Sequence, residues 1–99
     1  MQIIIHEGNA AHETVYPLLE NGLKKFENWN PQVISAEVFC RELAGSVPEN
    51  KQVEIKLNIP GQDLFVSSHK SHYEVAAKDA LDKLRRQMRR RKDQLKKTL

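Results

Sequence analysis

Cysteine is nearly absent: Cys40 stands alone in 99 residues. One thiol excludes an intrachain disulfide and a cysteine-rich zinc site, and points to a reduced, cytoplasmic setting. Long apolar runs are missing too; the longest are three or four residues, too short to span a bilayer. The opening Met1–Glu7 has no basic stretch followed by a long apolar one, so no signal peptide is expected. Also missing are a glycine-rich phosphate loop, a nucleophile elbow and paired carboxylates in an evident cleft, so no enzyme is expected. His69 and His72 lie three apart, with His6 and His12 far away, and no metal or other cofactor is expected. The chain is long enough for one domain, 1–99, with a small core.

Charge is what the sequence has in excess, and it is unevenly placed. Residues 70–99 carry eleven Lys/Arg against four Asp/Glu, a net +7, whereas residues 1–69 carry five bases and nine acids, a net −4. A basic pole on a mildly acidic body points to a polyanionic partner.

Periodicity supplies the elements. Gln2 to His6 reads as a strand of stiff β-branched residues suited to a buried pleat. Val15, Leu18, Leu19, Leu23 and Phe26 recur at helical spacing, with Thr14 as the expected N-cap and Pro17 as the third helical residue. Gly22 weakens that helix unless it permits a close approach. Trp29, at the helix end, is expected as a lid on the core. Between Val33 and Leu43 the period becomes two, with Ile34, Ala36, Val38 and Cys40 on the inward face. Val53, Ile55, Leu57 and Ile59 alternate with polar residues in the clearest strand pattern of the chain. Pro60-Gly61 fits a type II turn, and Asp63 to Ser68 returns as a strand.

A long last helix over residues 72–97 follows from Tyr73, Ala77, Ala80, Leu81, Leu84 and Met88, with Ser71 as its cap. The fold expected is α+β: β-α-β-β-β-α, a four-stranded mixed sheet with two helices packed on one face. The apolar stripe gives out near Met88, so residues 93–99 are expected as a frayed basic tail.

Two basic stripes flank that apolar seam: Lys78, Arg85, Arg89, Lys92 and Lys96, and beside them Lys83, Arg86, Arg90 and Lys97. From 83 to 92 there are seven bases and no acid, so no internal partner is expected to neutralise them. Guanidinium groups offer a planar fork for phosphate oxygens, which favours a polyanion over an idle solvated surface. The stripe alone does not choose between RNA and DNA. A membrane surface is disfavoured, because the apolar face is alanine-rich and lacks aromatics after Tyr73. Lys24 and Lys25 either extend the basic patch or are ordinary solvent lysines. Lys70, in His69-Lys70-Ser71-His72, sits at a junction that reads equally as a phosphate seat or a polar loop.

Three stretches carry a family resemblance: Leu23-Lys24-Lys25-Phe26-Glu27-Asn28-Trp29, Ile59-Pro60-Gly61-Gln62-Asp63-Leu64-Phe65-Val66-Ser67-Ser68, and Asp82-Lys83-Leu84-Arg85-Arg86-Gln87-Met88-Arg89-Arg90-Arg91-Lys92. In this order they resemble the ribosome hibernation promoting factors, also called ribosome-associated inhibitors. The resemblance implies a non-catalytic translation inhibitor in the cytoplasm. Its basic helices would lie against small-subunit ribosomal RNA and occlude the messenger and transfer RNA channel under stress. The implied RNA contacts are Lys83, Arg85, Arg86, Arg89, Arg90, Arg91 and Lys92, with Lys24 and Lys25 as a second line; the basic stripe adds Lys78, and the strand–helix junction adds Lys70, as candidate contacts. Implied partners are the small ribosomal subunit and its RNA, with no membrane and no small-molecule substrate. No counterpart of the dimerisation domain of long family members is expected. The alternative is a general double-stranded RNA-binding module of α-β-β-β-α type, which reads A-form shape.

Overall fold

The computed structural model describes residues 1–7, 12–29, 32–45 and 48–97, with side chains left out of account at 7, 12–14 and 91–97. Six elements follow in the order expected: β1 (Gln2–Glu7), α1 (His12–Trp29), β2 (Ser35–Glu42), β3 (Lys51–Asn58), β4 (Leu64–Lys70) and α2 (Tyr73–Lys97). The sheet order is β1-β2-β3-β4. β1 runs parallel to β2 across the helical crossover, and β2, β3 and β4 form an antiparallel meander.

Alternation decides which sheet face is covered. Ala36, Val38 and Cys40 on β2, Val53, Ile55 and Leu57 on β3, and Val66 on β4 are buried. They meet Val15, Leu19, Leu23 and Phe26 of α1 and Ala76, Ala77, Ala80, Leu84 and Met88 of α2. Alanines bring the α2 backbone close to the sheet, while leucines fill the space beside it. The connections use local chemistry. Leu43 N donates to Asn50 O at 2.7 Å at the end of the β2–β3 ladder. Gly61 takes φ of +95°, as the third position of a type II turn requires.

Several expectations need correcting. The three isoleucines of β1 are half-buried, because β1 is an edge strand and only Ile3 and Ile5 pack toward the core. Ile34, one residue ahead of β2, donates its N–H to Asn58 O at 2.9 Å and accepts from Gln2 N at 3.2 Å, yet at this end of the sheet its side chain is 62% exposed despite its inward parity. α1 begins at His12, ahead of the Thr14 cap. Pro17 therefore lies past the first turn and leaves one rung out of the helical ladder. α2 begins at Tyr73, with His72 O accepting from Ala76 N at 3.0 Å, which moves the cap one residue beyond Ser71.

The molecule measures 49 × 24 × 18 Å. A strand of eight residues reaches about 26 Å. The 25 residues of α2 reach about 38 Å. Met88 is the last buried side chain of α2 among the described residues, and the helical backbone continues to Lys97.

Candidate nucleic-acid interface

Helix α2 carries its bases on both shoulders of the seam it buries, and each shoulder borders a groove. On one side, α1 and α2 cross at Gly22. A Cβ there would stand 2.5 Å from Leu81 Cδ1, so any other residue at this position would have to displace the Leu81 side chain. The crossing leaves a groove of about 490 Å³ walled by Leu18, Asn21, Lys25, Lys78, Asp82 and Arg85. On the other side, α2 runs beside β4 and a groove of about 360 Å³ is lined by Phe65, Val66, Ser67, Lys83, Arg86, Gln87 and Arg90.

The second groove is built by a small polar brace. The buried Ser68 hydroxyl donates to Asp79 Oδ2 at 2.6 Å. Lys83 Nζ lies 3.4 Å from the same carboxylate and donates to Ser67 O at 2.9 Å. Gln87 Nε2 donates to Phe65 O at 3.2 Å. Two carbonyl oxygens of an edge strand are thereby covered by side chains of α2, which also blocks pairing with another strand. The Ser68 hydroxyl, followed by Lys83 and Lys70, holds the Asp79 carboxyl below its ordinary pKa, against the opposing pull of partial burial.

Of the bases singled out from the sequence, Lys83, Arg86 and Arg90 share the β4 groove, and Lys25, Lys78 and Arg85 share the groove at the helix crossing. Arg89 is exposed on the same helix. Lys24 is exposed on α1 and lines neither groove. Lys70 ends β4 and acts on Asp79. Arg91 and Lys92 lie in the helical backbone of α2, but their side chains fall outside the described residues.

The expectation that bases 83–92 have no acidic partner fails at two positions, because the acids come from the preceding turns. Lys83 meets Asp79, and Arg85 meets Asp82 at 3.7 Å. Among the described residues no ion pair reaches Arg86, Arg89 or Arg90. Trp29 is not a core lid. It is 45% exposed, packs edge-on to Phe26 with centroids 5.6 Å apart, and lies under the Arg85 guanidinium at 5.8 Å. The sequence reading also passed over Asp79, Ser68 and Gln87. The i,i+4 spacing of Asp79 and Lys83 was a visible signal; the cross-element bonds of Ser68 and Gln87 were not.

The uncovered sheet face is charged but balanced. Arg41 pairs with Glu54 at 3.5 Å, Lys56 with Asp63 at 3.8 Å and Lys51 with Glu42 at 2.6 Å. His6 stacks on Phe39 with centroids 4.5 Å apart. Excess positive charge therefore belongs to the helical side. Among the described residues, no cluster of His, Cys, Asp and Glu has the make-up of a metal site, and no helix is long and apolar enough to cross a membrane.

Comparison with known proteins bears on the fold and the family. No curated protein sequence matches the chain. Among solved structures it is similar to a ribosomal subunit interface protein from Coxiella burnetii, with 15% identity and a TM-score of 0.79 over 94% of this chain and 99% of that one. It is also similar to the N-terminal domain of Protein Y from Thermus thermophilus, with 22% identity and a TM-score of 0.71 over 91% of this chain and 98% of that one. At these identities the structures establish the fold. Residues 3–96 match the model of the sigma 54 modulation protein / S30EA ribosomal protein family, which covers nearly the whole chain in one piece. The chain therefore belongs to that family of ribosome-associated factors, the one that the hibernation-factor resemblance in its sequence indicated.

Proposed function

We propose that the chain is a non-catalytic inhibitor that binds small-subunit ribosomal RNA through α2 and occludes the channel for messenger and transfer RNA. The observation that carries this reading is the trio Arg86, Arg89 and Arg90. All three are exposed on one helix, and no ion pair reaches them among the described residues. Exposed guanidinium groups that meet no carboxylate among the described residues keep their capacity for phosphate. Lys25, Lys78 and Arg85 widen the cationic surface to the α1 side, and Arg91 and Lys92 extend it along the same helix. Lys83 is a lesser contact, since two of its donor directions are already held by Asp79 and Ser67. Family membership supplies the ribosome as the partner.

Sedimentation with isolated small subunits, beside a plain RNA duplex of matched concentration, tests the reading. The protein is expected to travel with the subunit, to prefer it over the duplex, and to be displaced by excess transfer RNA. Preference for the duplex would favour a general double-stranded RNA binder. Simultaneous binding of transfer RNA and the protein would rule out occlusion.

A further inference from the structure

Trp29 is the one tryptophan of the chain and ends α1. It is 45% exposed, so burial does not account for a large ring at this place. Its contacts give a better account. The ring stands edge-on to the buried Phe26 with centroids 5.6 Å apart, and the Arg85 guanidinium lies over it at 5.8 Å. A core side chain thereby reaches, through one exposed ring, a base on the neighbouring helix. Arg85 is also held from its own side. Its Nη1 lies 3.7 Å from Asp82 Oδ1, and its Nε is closed to solvent with no hydrogen-bond acceptor among the described residues. The Asp82 side chain is 63% exposed, and an ion pair of this length at the surface fixes little. The ring is the firmer seat, because a weakly hydrated guanidinium rests readily on an aromatic face. Arg85 in turn lines the α1–α2 groove with Lys25 and Lys78.

We propose that Trp29 is a positioning residue for RNA binding: its ring, set by Phe26, holds the Arg85 guanidinium ready for a phosphate in the groove that Arg85 shares with Lys25 and Lys78. The inference rests on the RNA-binding reading above and adds to it a residue that carries no charge. A free arginine side chain loses rotamer freedom when it takes a phosphate, and that loss subtracts from affinity. Arg85 has given up part of this freedom in the fold already. A guanidinium resting on a ring uses its flat face, which leaves in-plane N–H groups for phosphate oxygens. Trp29 itself touches no phosphate, so its contribution exists only while Arg85 is there to be held.

The test measures binding to isolated small subunits by the full chain as wild type, Trp29→Ala, Trp29→Phe, Arg85→Ala, Arg85→Lys and the Trp29→Ala/Arg85→Ala pair. Trp29→Ala is expected to bind on the order of three- to tenfold more weakly. Trp29→Phe keeps a ring under the guanidinium and is expected to bind close to wild type. Arg85→Ala is expected to lose at least as much as Trp29→Ala, and the pair no more than Arg85→Ala alone. In the free protein, Arg85→Ala is expected to shift the Trp29 emission to longer wavelength as the ring is opened to water. Wild-type affinity of Trp29→Ala overturns the positioning role while leaving the RNA reading in place. An equal loss from Trp29→Ala with and without Arg85 also overturns it, since the ring would then act on RNA or on the fold directly. Arg85→Lys keeps the charge and the tryptophan but loses the flat group, and is expected to bind in the range of Trp29→Ala. Wild-type affinity there overturns the inference whether or not Trp29→Ala folds. Failure of the broader reading is read separately, as absence of wild-type binding to the subunit.

Discussion

At the residue scale the chain spends little on buried polarity. Ser68 is the one polar side chain buried in the core among the described residues, and its hydroxyl is matched to Asp79 at 2.6 Å. Ser68→Ala removes a hydrogen bond to a charged acceptor and should lower stability by about 1–2 kcal/mol, read as a shift in the urea midpoint. The pH dependence has a definite sign. The folded-state pKa of Asp79 is depressed, so its contribution is present above its unfolded pKa, about 3.9. That contribution is lost as pH falls through the folded value. Wild type should lose stability into acid more steeply than Ser68→Ala; parallel curves would remove Asp79 from the account. Cys40 makes a second case: burial pushes its thiol up to about 11, so it stays neutral near pH 7. A thiol reagent at pH 8 should label it only after denaturant is added, and rapid native labelling would contradict its burial. Cys40 was readable from period-two alternation. Trp29 was not, because its exposure depends on where Arg85 of a distant helix lies.

At the element scale the crossing of α1 and α2 brings Gly22 against the Leu81 side chain. Gly22→Ala gains about 1 kcal/mol in helix propensity. It also drives a methyl group into the buried Leu81 side chain, and overpacking of this kind costs about 1–3 kcal/mol. The net expectation is a loss of about 1 kcal/mol, and the loss should shrink or reverse in a Leu81→Ala background. A double-mutant cycle by urea denaturation checks the coupling; additive effects would mean that the helices do not meet there. β3 and α2 were legible because their apolar residues repeat long enough to fix both period and face. The ends were not. Ile34 has the right parity and bonds to both neighbouring strands, but it stands at the end of the sheet where its side chain is left exposed, and the start of α1 ahead of Thr14 carries no apolar signal.

At the scale of the whole molecule, charge and architecture are divided between two sides. The open sheet face pairs its charges across strands, while the helical side keeps an excess of bases. The excess on α2 was legible in the net +7 of residues 70–99, against −4 over residues 1–69, although the partners of Lys83 and Arg85 had to be seen in space. Because the last buried side chain described on α2 is Met88, a chain ending there should melt within a few degrees of the full protein, by calorimetry, yet bind small subunits far more weakly. Unfolding on truncation would show that the remainder of α2 packs in the core.

The central proposal is that α2 holds RNA phosphates through Arg86, Arg89 and Arg90, which meet no carboxylate among the described residues. Its most direct test is the affinity for small subunits measured across 50–200 mM salt, for wild type and for Arg86→Glu/Arg89→Glu/Arg90→Glu. Wild-type affinity should fall on the order of a hundredfold or more over that range. The triple variant, folded as wild type, should bind far more weakly, and the slope of log affinity against log salt should lessen by about 2–3. A flat wild-type response, or a variant with wild-type affinity and slope, would contradict the account.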